Sequence, residues 1–159
     1  MTAVGKIKLF ATDVDGVLTP ATTIFGPDGP LGKIFSVRDG FGCELLRGKG
    51  VVVEFLSRET SAITAARAKW LGIAHHAGVL DKGSFLQRRV EELGISREQV
   101  AYMGDDIFDL EALQLAGWSF APADAHPAVL KVVKVVTSKR DGEGAFREAV
   151  DYLLEAGLV

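Results

Sequence analysis

Lys6-Ile7-Lys8-Leu9-Phe10-Ala11-Thr12 runs straight into Asp13-Val14-Asp15-Gly16-Val17-Leu18-Thr19, an apolar run that ends abruptly in paired acids. The first stretch is short, apolar in its middle and free of glycine and proline, as expected for a strand buried in a parallel sheet. Ligands of open α/β sheets bind outside the carboxyl ends of the strands. Two carboxylates and a glycine at such an end therefore mark the place for an active site. Alternate side chains of extended chain point the same way, so Asp13 and Asp15 can face one space. Carboxylates in one small volume repel unless a cation lies between them or one holds a proton. A carboxylate can attack phosphorus, and a neighbouring carboxyl can protonate the leaving oxygen. Gly16 lets the backbone turn sharply behind them. Taken alone, Asp-x-Asp reads more simply as a polar loop capping a strand, so the rest of the chain has to decide.

The 159 residues have the size of one domain, 1–159, and 48% apolar with 25% charged residues is ordinary for a soluble globular chain. A net charge of -3 argues against a general nucleic-acid binder. Cys43, the single cysteine, excludes an internal disulfide and fits a reducing compartment. With no long apolar leader and no run of membrane-spanning length, the expectation is a soluble, cytoplasmic protein without a membrane partner.

Beyond Thr19, Thr22–Phe25 and Lys33–Val37 are β-prone and separated by Gly26-Pro27-Asp28-Gly29-Pro30, the grammar of a hairpin. A lone hairpin is marginal and invites another chain, so it is expected to project and make an oligomer contact. Asp39 starts a predicted helix to about Lys49 with Phe41, Leu45 and Leu46 inward. Then come strand Val51–Leu56 ending at Ser57-Arg58-Glu59, helix Thr60–Leu71, strand Ile73–His76 and a helix from Asp81-Lys82 to Leu93. Ser96-Arg97-Glu98-Gln99 has capping-box spacing before strand Val100–Met103, which ends in Gly104-Asp105-Asp106-Ile107-Phe108-Asp109. A helix to Ala116, a strand at Trp118–Ala121, a helix from His126-Pro127, a strand within Val132–Thr137 and an amphipathic helix Gly144–Ala156 complete a mainly parallel α/β domain. Trp70 and Trp118 read as core, Cys43 as a small core residue and His75-His76 as packing; Cys43, His75, His76 and His126 lack zinc spacing.

Polar clusters thus end three strands: Asp13 with Asp15, Ser57, and Asp105 with Asp106, while Lys82 opens a helix. Mg²⁺ needs only one or two carboxylates plus a substrate phosphate. In this order the clusters resemble the four motifs of the haloacid dehalogenase phosphohydrolase superfamily. The hairpin, Val37-Arg38-Asp39-Gly40-Phe41-Gly42, Ala123–Pro127 and Gly142–Glu148 resemble its small capless branch. That branch includes 3-deoxy-D-manno-octulosonate 8-phosphate (Kdo 8-phosphate) phosphatases and nonulosonate 9-phosphate phosphatases.

The resemblance implies a three-layer α/β/α Rossmann-like fold with a mainly parallel sheet, a hairpin projecting at about residues 20–37 and no cap domain. It implies a phosphomonoesterase acting on a small-molecule sugar-acid phosphate, with Asp13 as nucleophile and Asp15 as general acid and base. Mg²⁺ is implied on Asp13, the Asp15 carbonyl and Asp105, phosphate on Ser57 and Lys82, and a supporting role for Asp106 and Asp109. Arg38 and Glu59 are implied substrate contacts that pull in different directions. Glu59 resembles the nonulosonate enzymes, whereas Arg38-Asp39-Gly40 resembles the octulosonate ones. Pro20-Ala21 departs from the Asp-Gly usual after the motif threonine. The branch also implies a homotetramer with its hairpins assembled centrally. A catalytically silent sugar-acid-binding relative is the rival reading, disfavoured by the full set of motif residues.

Overall fold

The computed structural model describes residues 5–159. In chain order its strands are β1 (Leu9–Thr12), β2 (Ile24–Gly26), β3 (Gly29–Gly32), β4 (Val52–Leu56), β5 (Ala74–His76), β6 (Val100–Met103), β7 (Trp118–Ala121) and β8 (Val135–Val136). Its helices are α1 (Val37–Gly48), α2 (Ala62–Leu71), α3 (Lys82–Leu93), α4 (Leu110–Leu115), α5 (Pro127–Leu130) and α6 (Ala145–Glu155), with 3-10 turns at Arg97–Gln99 and Ile107–Asp109. One parallel sheet runs β5-β4-β1-β6-β7-β8, and β2 and β3 form a separate antiparallel pair. No helix among the described residues is long and apolar enough to cross a membrane.

β1 is central because its side chains are buried on both faces. Leu9 and Ala11 join Leu86, Val90, Leu113 and Val129 on the α3–α5 side, and Phe10 joins Leu46, Phe146 and Leu153 on the α1–α6 side. The Phe10 ring lies 4.8 Å from that of Phe146 and 5.8 Å from that of Phe120. Cutting it to alanine costs on the order of 3–5 kcal/mol. The sheet order places β1 at the point where the chain reverses direction across the sheet, and a crevice is expected at the carboxyl ends there.

Several local expectations are corrected. The hairpin closes earlier: Gly26 pairs with Gly29 around Pro27-Asp28, so β3 is Gly29–Gly32 and not Lys33–Val37. Ser36 then takes the N-cap position of α1, with no capping bond from its side chain, and the helix begins at Val37 rather than Asp39. Phe41 and Leu45 face outward, 52% and 40% exposed, while Asp39, Gly42, Cys43 and Leu46 are buried. The cause is close helix packing: a Cβ on Gly42 would stand 3.3 Å from Val150 of α6. Small residues must line that seam, so the bulky ones turn away from it.

Asp39 joins the same two helices, its Oδ1 accepting the Arg147 N–H at 2.9 Å. Burial pushes its carboxyl up to about 6, and burial likewise pushes the Cys43 thiol up to about 12, an inert core position. Trp70 is not core but 85% exposed. α2 buries Thr64 and Ala68, which share one face, and two residues further on the helix has turned to the opposite side. Trp118 is half-buried against the core. The last strand shrinks to Val135–Val136 because Val132 and Val133 continue the turn of α5. The Ser96–Gln99 box is present, but it caps a single 3-10 turn.

Candidate active site

Parallel register carries distant residues to one level. Thr12 stands beside Phe55 of β4 and Met103 of β6, so Asp13, Ser57 and Asp105 all emerge at the same edge of the sheet. There a cavity of about 280 Å³ is lined by Asp13, Asp15, Ala21, Ser57, Arg58, Glu59, Lys82, Asp105, Asp106 and Phe108. Ala21 has φ 51, where a glycine would sit without its Cβ penalty. The chain has Pro20-Ala21 in this turn and carries that strain beside the cavity.

Lys82, at the first position of α3, is buried with its Nζ 2.9 Å from Asp13 Oδ1 and 2.8 Å from Asp109 Oδ1. Burial opposes its charge, yet the two carboxylates hold its ammonium above the ordinary lysine value. Asp109 is fully engaged. Its Oδ1 also accepts the Tyr102 hydroxyl at 2.7 Å, and its Oδ2 accepts the N–H groups of Asp105 and Asp106 at 3.0 and 3.2 Å. Asp109 thereby holds the Asp105 loop and Lys82 together. Asp106 lines the cavity but does not touch Lys82, its Oδ1 accepting the Ile107 N–H at 2.7 Å.

Oxygens of Asp13, Asp105 and Asp109 lie within 4.8 Å of one another. Proximity alone does not choose the metal ligands, but lone pairs do. Asp109 has none to spare, whereas Asp105 Oδ1 is buried without a hydrogen-bond partner. Among the described residues no backbone N–H donates to the Asp15 carbonyl. Asp13, Asp105 and that carbonyl therefore fit a hard divalent cation, and Asp109 supports them.

Burial pushes Asp13 up to about 7, with Asp109 adding and Lys82 opposing, and burial pushes Asp105 up to about 9, with the neighbouring carboxylates adding. A carboxyl raised in the fold is a liability once ionised. Without metal, this contribution is absent below the ordinary carboxyl value of 3.8 and grows unfavourable as pH rises through about 7 and then about 9. Metal-free protein is thus expected to lose Tm across that window. The rise in Tm on replacing EDTA by Mg²⁺ should be larger at pH 8 than at pH 5, as differential scanning fluorimetry can read.

Gly16 adopts φ 87, and a Cβ there would stand 1.9 Å from Asp105 Oδ2. The carboxylate rests directly on the glycine. Gly16→Ala is expected to weaken divalent-cation affinity about 10–100-fold, measured by calorimetry on folded variant, because it must displace that oxygen.

Asp15 is held from another direction. Thr19 Oγ1 donates to its Oδ1 at 2.9 Å, and Lys33 Nζ donates to its Oδ2 at 2.7 Å. Lys33, just past β3, also donates to Glu59 at 2.8 Å. Burial works against its charge, but these carboxylates raise its ammonium above the usual value. Glu59 reaches the cavity; Arg38 does not line it and lies exposed on the first turn of α1. Ser57 Oγ donates to the Glu59 carbonyl at 3.0 Å and lies 2.8 Å from His75 Nε2. Burial, with His76 and Lys33 nearby, lowers the His75 pKa. Neutral imidazole can donate its Nε2–H to Ser57 and leave the serine hydrogen free to be redirected.

Sequence reasoning missed Lys33 and the contact of His75 with Ser57. A lysine in a hairpin carries no signal of its target, and the pairing of β4 with β5 is what brings His75 to Ser57. It also missed Glu54, buried in β4 and bound by Arg89 Nη2 at 2.6 Å and by His76 at 3.2 Å. That group ties α3 to the sheet away from the cavity.

A family model described as haloacid dehalogenase-like hydrolase matches residues 52–148. A 3-deoxy-D-manno-octulosonate 8-phosphate phosphatase of Haemophilus influenzae is 41% identical over 152 residues, 95% of this chain and 84% of that protein. The crystal structure of a Moraxella catarrhalis phosphatase of that name, in complex with magnesium ion, phosphate ion and a KDO molecule, superposes with a TM-score of 0.92 at 36% identity. The match covers 96% of this chain and 88% of the other. The cobalt-bound Haemophilus influenzae phosphatase gives 0.91 at 40% identity over 96% and 90%.

Proposed function

The chain belongs to the haloacid dehalogenase-like hydrolases and is a phosphoric monoester hydrolase, and on that basis we propose that it releases phosphate from Kdo 8-phosphate with Mg²⁺ as cofactor. The observation that carries this reading is the single cavity shared by Asp13, Asp15, Ser57, Lys82 and Asp105. Similarity to phosphatases of that substrate over nearly the whole chain supports it.

Asp13 attacks phosphorus and forms an aspartyl phosphate, while Asp15 gives a proton to the departing sugar oxygen. Asp15 then takes a proton from the water that attacks the phosphoenzyme, regenerating Asp13. Its hydrogen bond from Thr19 holds the carboxyl in place, while Lys33, which also donates to Glu59, releases Oδ2 when that oxygen carries the proton and pairs with it again as the carboxylate forms. Lys82 balances phosphoryl charge at the cavity floor, and Ser57 turns its hydroxyl hydrogen from the Glu59 carbonyl to a phosphoryl oxygen. A divalent cation on Asp13, Asp105 and the Asp15 carbonyl supplies charge neutralisation for the approach of two anions.

Glu59 on the cavity wall favours a second reading, a nine-carbon nonulosonate 9-phosphate whose hydroxyls or amine it would bind. Phosphate release from the two substrates separates them. The primary reading expects Kdo 8-phosphate to be preferred about tenfold or more, the change of one good hydrogen bond. The reverse ranking supports the nonulosonate. Ile24, Phe25, Leu31 and Ile34 of the hairpin region are each more than half exposed, which supports assembly through hairpins into a homotetramer. Light scattering of the wild type against Phe25→Glu tests that assembly.

A further inference from the structure

The cavity wall carries five carboxylates, Asp13, Asp15, Glu59, Asp105 and Asp106, and two cations, Lys82 and Arg58. An acid-rich wall is a poor place for a sugar-acid carboxylate unless one cation is left over for it. Lys82 is held at the floor by Asp13 and Asp109, where it serves the phosphate and not the far end of the substrate. The Glu59 charge is met by Lys33 from behind the wall, so Glu59 opposes an incoming anion less than its position alone implies.

Among the described residues Arg58 is in ion-pair contact with no carboxylate. It is not loose, however. Its guanidinium lies 3.9 Å over the Phe108 ring, and its Nη1 donates to the Leu80 carbonyl at 3.2 Å. Stacking and one hydrogen bond set the plane of the fork, and a guanidinium has five N–H groups, so most remain free. Phe108 and Arg58 are both exposed where Lys82 is buried, which places them at the mouth and the phosphate cluster at the floor.

We infer that Arg58 receives the carboxylate of the sugar acid and that the Phe108 ring packs against the sugar, an assignment that rests on the Kdo 8-phosphate reading. The chemistry of that substrate matches the layout, since its phosphate and its carboxylate are at opposite ends of an eight-carbon chain. One end meets the strand-end cluster, and the other meets a pre-oriented fork that can take a carboxylate through two parallel hydrogen bonds. Glu59, adjacent in sequence and tied to Lys33, is left for sugar hydroxyls.

The test compares kcat/KM for Kdo 8-phosphate with kcat/KM for p-nitrophenyl phosphate, which has no carboxylate, in wild type, Arg58→Lys and Arg58→Ala. The ratio is expected to fall about 10–100-fold in Arg58→Ala, chiefly through KM for Kdo 8-phosphate. Arg58→Lys should fall in between, because it keeps the charge and loses the fork. A wild type that hydrolyses Kdo 8-phosphate while Arg58→Ala keeps the same ratio overturns the role of Arg58 and leaves the substrate reading standing. A wild type that hydrolyses the aryl ester but not Kdo 8-phosphate overturns both.

Discussion

Asp13→Asn is expected to lower kcat on any phosphate ester by about six orders of magnitude, the scale on which removal of a nucleophile is felt. The substitution keeps the shape of the side chain. An amide oxygen can still accept the Val14 N–H that Oδ1 accepts at 2.8 Å, and it can still face Lys82 Nζ, now 2.9 Å away. What disappears is the anionic oxygen able to bond phosphorus. Lys82 loses one carboxylate but keeps Asp109 as its partner, so the fold is expected to survive the substitution. Burial lifts the Asp13 carboxyl to about 7, so its ionised form burdens the metal-free fold as pH rises from the ordinary value through 7, whereas asparagine never ionises. In EDTA the variant should therefore match or exceed the wild-type Tm at pH 8, with a smaller difference at pH 5. A variant that is inactive and also strongly destabilised at pH 8 would reassign Asp13 to a structural role.

Lys82→Met should damage both stability and rate. It leaves Asp109, which is wholly buried, and Asp13, whose side chain is 14% exposed, facing each other without the cation between them. Removing one partner of a buried pair costs about 3–5 kcal/mol, a large part of the 5–15 kcal/mol that usually holds such a domain. The lysine value is raised in the fold, so its contribution is complete below the unfolded value of 10.5 and is lost only above the folded one. Urea unfolding at pH 7 therefore reads the full effect. Adding Asp109→Asn should recover part of it by removing a charge that lost its partner. Turnover of folded Lys82→Met should drop about 10²–10³-fold, the scale of one electrostatic donor to a developing charge. A stable Lys82→Met enzyme with near wild-type turnover would show that the buried amine serves neither purpose.

The outline of the site was legible because it depends on strand ends. Apolar runs ending in Asp13, Ser57 and Asp105 mark parallel strands, and parallel pairing brings their ends to one level whatever lies between. Lys82 was legible once a helix start followed the third strand, since that start returns to the same sheet edge. Contacts made by side chains crossing from unrelated segments were not. Lys33 reaches Asp15 only because the chain leaving β3 turns back toward it, and nothing in Gly32-Lys33-Ile34 distinguishes it from a solvated lysine. Helix faces were harder still. Phe41, Leu45 and Trp70 are apolar, but the seams of α1 and α2 are set by small residues at Gly42, Cys43 and Ala68, and bulk was excluded from them. Arg38 looked like a site residue beside Asp39 and Gly40. One position along the helix turns its side chain away, while Asp39 is spent on the start of α6.

The mechanism proposed above has Asp13 carry phosphate covalently and Asp15 help to remove it. Rapid acid quench of Asp15→Asn with Mg²⁺ and a ³²P-labelled aryl phosphate would catch that intermediate, because a good leaving group needs little acid help while the trapped phosphoenzyme lacks its base. Hydroxylamine-labile label is expected to build up on the protein, to map by mass spectrometry to the peptide holding Asp13 and to be absent from Asp13→Asn/Asp15→Asn. Labelled phosphate released with no labelled protein, or label on any other residue, would rule out Asp13 as the nucleophile.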